Sequence, residues 1–220
     1  KAAGFGIGLR FYIQGTIGDD KLLPRSGSEP MFDAIAWQGS NEKYFGSYGD
    51  IKVTTNCYAY ALNLKYNPFT DNDLFEGTLQ PGALSSGKHD NSTAADILYD
   101  NHATTENIIF GAVRKDAWVY GNDFARSDEW EKAPAGMYKV ALALGTGNLF
   151  GKAIDDYHWY RQDDTGYWSH KPTTLIGTLP TYRDWDGEKI TDPATANRKT
   201  EGGGDYNETF AGYYITGKPR

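Results

Sequence analysis

The pattern of apolar and polar positions changes character near residue 136. Before it, small and aromatic residues succeed one another at helical spacing in Cys57-Tyr58-Ala59-Tyr60-Ala61-Leu62, and a later segment carries Ile108, Ile109 and Val113. After it, Met137 to Leu144 reads as a strand, Asp155 to Gln162 as a second, Tyr167 to Pro172 as its return, and Ala211 to Thr216 as a closing strand. The pattern predicts a helix from Cys57 to about Lys65, stopped by Asn67-Pro68, and further helices over roughly 94–102 and 106–115. Leu9 to Ile13 can form a strand, and Met31 to Trp37 fits a helical turn or a strand equally well. Gly39 to Gly49, residues 68–92, the charged stretch 121–135, Gly145 to Gly151 and most of 173–209 read as loops. Helical signals before strand signals are the mark of an α+β fold, with the Cys57 helix packed on an antiparallel sheet. No linker divides the chain, so residues 1–220 are expected to be one domain.

The hairpin around Asp163-Asp164-Thr165-Gly166 sets a register. Glycine at the fourth place fits a type I turn closed by a bulge, which pairs Asp163 with Tyr167 and Tyr160 with His170. His158 and His170 then share a face as diagonal neighbours, roughly 7 Å apart at the backbone and within reach of each other's rings. A two-residue turn would instead place them on opposite faces.

Composition narrows the function classes. A net charge of −7 argues against a nucleic-acid binder that works through a basic surface. The 16 Tyr, 10 Phe and 6 Trp suit β-structure and polymer-binding grooves. No apolar run is long enough to cross a membrane. A single cysteine excludes an internal disulfide and leaves the redox compartment open. The chain begins at Lys1, as a processed product or a fragment would, so its start says little about secretion.

That cysteine follows Thr54, Thr55 and Asn56, residue types that cap helices. With Asn56 as cap, Cys57 takes the first helical position, where the helix dipole favours a thiolate. The alternative is a small buried hydrophobe. Asp155-Asp156 and Asp163-Asp164 read as solvated loop acids, and His89 and His102 as surface residues. A metal site built from His158, His170 and one of these aspartates lacks any CxxC or HExxH spacing, so neither metal nor cofactor is expected. Gly4-Phe5-Gly6-Ile7-Gly8 lacks the preceding strand that a dinucleotide motif needs.

A helix-borne cysteine, a strand histidine 101 residues on and a second histidine 12 residues beyond resemble the NlpC/P60 group of papain-like cysteine hydrolases. The resemblance covers about 56–64 and 137–171, and residues 67–135 would be an insertion. It implies Cys57 as nucleophile, His158 as general base and later acid, and His170 as the residue that orients His158. The backbone N–H of Cys57 would be one oxyanion donor, with Asn56 or Tyr58 as candidates for a second. Trp159, Tyr160, Tyr167 and Trp168 would be core packing or would wall a substrate groove.

Three functions are therefore in play. One is an amidase or endopeptidase that cleaves a peptide amide, with peptidoglycan among the substrates the resemblance implies. A second is a catalytically silent papain-like module of a toxin, phage or secreted assembly. A third is an acyltransferase, since a thioester can pass to an acceptor other than water. A peptide or peptidoglycan-like partner is expected, without nucleic acid or membrane, and a secreted or virion-associated location is favoured over a membrane one.

Overall fold

The computed structural model describes residues 22–38, 55–65, 79–87, 102–149, 152–172, 178–198 and 207–219. Helix α1 spans Cys57–Ala61, α2 Ala83–Ser86 and α3 His102–Val119. The strands are β1 Asp123–Ser127, β2 Met137–Leu149, β3 Lys152–Gln162, β4 Trp168–His170 and β5 Asn207–Gly217. They form one antiparallel sheet in the order β1-β5-β2-β3-β4. The fold is α+β. Among the described residues, no helix is long and apolar enough to cross a membrane.

Side chains alternate across the sheet, and each face buries a different layer. One face presents Val140, Leu142, Leu144, Tyr157, Trp159 and Tyr214, and all three helices pack on it through Cys57, Tyr58, Ala83, Ile109 and Val113. The other presents Ala141, Ala143, Tyr160, Trp168 and Tyr213, covered by Leu23 and Ile190 from irregular segments. Small alanines in the middle of β2 make room there for the rings of β3 and β5.

The irregular layer is tied on by backbone. His170 and Thr181 exchange N–H···O bonds of 2.8 and 2.9 Å, and the Trp168 amide donates to Ile190 at 2.8 Å, so residues 181–190 extend the sheet past β4. On the other flank, the side-chain Nε2 of Gln162 donates to the Leu23 carbonyl at 3.0 Å, and the Asp164 backbone amide to the Pro30 carbonyl at 3.1 Å.

The hairpin has the expected register. Asp163 donates to the Tyr167 carbonyl at 2.9 Å, Gly166 sits at φ 90°, and Tyr160 pairs with His170. Several other expectations need correction. The Cys57 helix ends at Ala61 rather than near Lys65, because Asn63 turns the chain out through φ 56°. Gly145 to Gly151 is not simply a loop, because β2 runs on to Leu149 and β3 begins at Lys152. The register of the two strands continues through Gly147 and Asn148, so partner backbone groups outweigh weak local β-propensity there. The stretch 121–135 contains the edge strand β1, α2 lies within 68–92, and α3 extends beyond 106–115 at both ends. Residues 31–37 settle as a 3₁₀ turn at Ile35–Trp37. The expected strand at 9–13, the Gly4 to Gly8 stretch, His89 and most of the helix at 94–102 lie outside the described residues.

Candidate functional site

The two histidines meet. His158 Nε2 lies 2.7 Å from His170 Nδ1, and the rings cross nearly edge to face with centroids 4.9 Å apart. Tyr160 supports both, with ring centroids 4.9 Å from His158 and 5.2 Å from His170. The bulged turn at Gly166 produces this meeting by setting the register that brings β4 back beside β3.

Hydrogen bonding fixes the tautomers. His170 Nε2 is 3.1 Å from the Arg183 carbonyl, which can only accept, so that nitrogen carries hydrogen. Burial lowers the His170 pKa to about 4, so the ring is neutral at pH 7 and its Nδ1 holds a lone pair. His158 Nε2–H therefore donates to it. Burial, then His170 and Arg198, hold His158 well below the ordinary histidine range. A neutral His158 with hydrogen on Nε2 keeps a basic lone pair on Nδ1, the ring nitrogen nearer its own backbone.

Cys57 comes to the same point of β3. Asn56 caps α1, accepting from the Ala59 amide at 2.9 Å while its own amide donates to the Leu79 carbonyl at 2.7 Å. Cys57 thus takes the first helical position, as the sequence predicts. Its Sγ lies 3.8 Å from the carbonyl oxygen of Tyr157, the residue directly before His158. The side chains approach from different sides, however. Cys57 packs with Leu142 and Trp159 on the helical face, whereas His158 pairs with Ala143 on the other. β4 pairs with β3 at Tyr160, Arg161 and Gln162 and stops short of His158. The structure therefore joins His158 to His170 directly and brings Cys57 to the backbone next to His158, at the margin of the sheet.

Arg161 fixes α1 over this margin. It is fully buried, and its Nη2 lies 2.8 Å from Asp163 Oδ1. The same guanidinium donates to the Tyr60 hydroxyl at 3.0 Å, the Tyr60 carbonyl at 3.4 Å and Asn63 Oδ1 at 3.2 Å, gripping the C-terminal end of α1. The Tyr60 hydroxyl also meets Ser169 Oγ at 2.6 Å, which links α1 to β4. On the far side, Asp116 of α3 accepts from the Tyr58 hydroxyl at 2.8 Å and from the amides of Gly82 and Ser85, which holds α2 beside α1.

Of the two readings of the hairpin aromatics, burial of the rings supports core packing. Tyr58, Trp159 and Trp168 are fully buried and Tyr160 nearly so. Trp159 packs edge-on or tilted among Tyr58, Phe124 and Tyr214, and Trp168 packs on Tyr213. The aromatic faces of the hairpin are core because a layer covers each side of the sheet. Asn56 acts as a cap and a tie to Leu79. Among the described residues no cluster of three or more His, Cys, Asp or Glu side chains could hold a metal ion.

Sequence reasoning missed two contributors around the histidines: the Arg183 carbonyl and Arg198. Arg198 lies over the Tyr160 ring at 5.6 Å and bears electrostatically on both histidines. Its part depends on the fold-back of 178–198, which no local pattern announces.

No family model matches the chain, and no solved structure matches it. Among curated proteins it is similar to insoluble matrix shell protein 1 of Ruditapes philippinarum, at 28% identity over 167 residues, covering 76% of this chain and 82% of that protein.

Proposed function

We propose that the chain is a cysteine hydrolase of the papain-like NlpC/P60 type that cleaves a peptide amide, with peptidoglycan peptides among the substrates the resemblance implies. One observation carries the reading: the hydrogen-bonded series from His158 through His170 to the Arg183 carbonyl leaves a lone pair on His158 Nδ1, and Cys57 Sγ reaches the carbonyl of Tyr157, the residue directly before His158. In this mechanism the Cys57 proton passes to His158 Nδ1 as Sγ bonds to the substrate carbonyl carbon. The His158 proton then goes to the leaving amine as the C–N bond breaks. Water, deprotonated by the same nitrogen, cleaves the thioester and restores the thiol. His170 holds His158 in the required tautomer throughout. An amine acceptor in place of water would give the acyltransferase variant.

The test is hydrolysis of a panel of peptide amides, including peptidoglycan stem peptides. Cys57→Ala should abolish turnover with the fold retained. His158→Ala should lose nearly as much, roughly 10²–10⁴-fold, and His170→Asn less, because Asn still accepts from the imidazole.

A second reading is a catalytically silent structural component of an extracellular matrix. It draws on the printed name of the Ruditapes relative and on the burial of Cys57 and His158, which are 1% and 5% exposed. It predicts no turnover in any variant and a response of stability, rather than rate, to Cys57→Ala.

A further inference from the structure

The two edges of the sheet are finished differently. The β4 edge is covered, because the backbone of Thr181 and Ile190 pairs with His170 and Trp168. The β1 edge is bare among the described residues, where β1 pairs with β5 alone and no further backbone bond reaches its outer side. A row of unpaired N–H and C=O groups is a template for another strand, and charged side chains commonly guard it. Here the main guard is turned inward. The Arg126 guanidinium lies 3.9 Å over the Phe110 ring and binds Glu106 and Asn107 of α3. The middle of the strand is Ala125, small and exposed.

Both ends of β1 carry an exposed indole. Asn107, Arg114 and Trp118 share one stripe of α3, and because Asn107 touches Arg126 that stripe borders β1. Trp118 is 77% exposed near the Asp123 end, and Trp130, 37% exposed, follows the Ser127 end. Charge is divided in the same way. Arg114 accompanies Trp118, whereas Asp128 and Glu131 flank Trp130, and all three charged residues are exposed.

An antiparallel copy of the strand satisfies this pattern. Centred on Ala125, the pairing sets Ala125 against the partner's Ala125, Asp123 against the partner's Ser127 and Phe124 against the partner's Arg126, with no like charges opposed. A centre at Arg126 would instead oppose two guanidinium groups. The same pairing lays the basic, Trp118 end of each copy beside the acidic, Trp130 end of the other. We infer that β1 is an interface between two copies of this chain, which pair antiparallel about a twofold axis at Ala125 and join two five-stranded sheets into one. The surface is the edge opposite β4, so the pairing leaves Cys57 and the histidines untouched and stands apart from the hydrolase reading.

Sedimentation equilibrium of the full chain over a concentration series is the first test. A reversible monomer–dimer equilibrium is expected, since one short strand and its flanking indoles make a small interface. Ala125→Lys brings two like charges together at the axis and should weaken association about fivefold or more. Circular dichroism checks the fold, and Ala125→Glu serves if the Lys variant does not fold. Register is tested by air oxidation in a Cys57→Ser background. Ala125→Cys should form an intermolecular disulfide faster than Asp123→Cys, because directly paired residues stand about 5 Å apart at Cα, within disulfide reach, whereas the two 123 positions stand roughly 13 Å apart. A chain that stays monomeric throughout the series overturns the inference. So does a dimer indifferent to charge at position 125, or a disulfide that forms no faster at 125 than at 123.

Discussion

His170 carries two consequences at the scale of single residues. It orients His158, and it must stay neutral to do so. Its pKa is lowered from 6.5 to about 4 by burial, so the unfolded chain binds the proton more readily over that window. Stability due to neutral His170 is complete above pH 6.5 and is lost as pH falls towards 4. Asp163 acts in the opposite sense, since burial raises its pKa from 3.8 to about 6 and its contribution is lost as pH rises between those values. The difference between wild type and His170→Asn isolates the histidine. Urea unfolding at pH 7 and pH 4.5 should show a smaller acid loss in the variant. An equal loss in both would remove His170 as the source. At this scale the sequence is most legible where chain geometry is local. Asn56 as cap and Gly166 as bulge follow from residue type, and the histidine pairing follows from Gly166. The Arg183 carbonyl is not legible, because it depends on the contact between residues 170 and 181, made by a segment without periodicity.

At the scale of elements, the margin of the sheet depends on how α1 is held. A helix of five residues has little stability of its own, so its position comes from its ties. Asn56→Ala removes both the cap and the Leu79 tie and should cost about 1 kcal/mol or slightly more in chemical denaturation. Arg161→Leu leaves Asp163 buried without its counter-charge and frees the end of α1; a loss of about 3–5 kcal/mol is expected. Gly166→Ala introduces a Cβ only 2.9 Å from Leu22 Cδ1 at a positive φ, and should both destabilise the hairpin and weaken the His158–His170 bond. Loss of stability without change in the histidine NMR signals would separate the turn from the pair. The strands were legible as apolar runs, but not their lengths: β2 and β3 extend through Gly147 and Asn148 because each supplies the other's backbone partners. The sequence left the hairpin aromatics open between core and groove wall for a related reason. Alternation shows which residues share a face, but not that both faces are covered.

At the scale of the whole molecule, a central sheet separates a helical layer from an irregular one, and the proposed site lies where the layers meet at the margin of β3. Cys57 arrives with the helices, and His158 and His170 with the opposite face. The state of the thiol separates the hydrolase reading from the structural one. The central claim is that His158 activates Cys57. Its most direct measurement is the rate of Cys57 alkylation by iodoacetamide in the native protein at pH 6 to 7, in wild type and in His158→Ala, with mass spectrometry to count the adduct. The account predicts labelling of the folded wild type and a rate at least about tenfold lower in the variant. Labelling that appears only on unfolding, or at the same rate in both proteins, would contradict it.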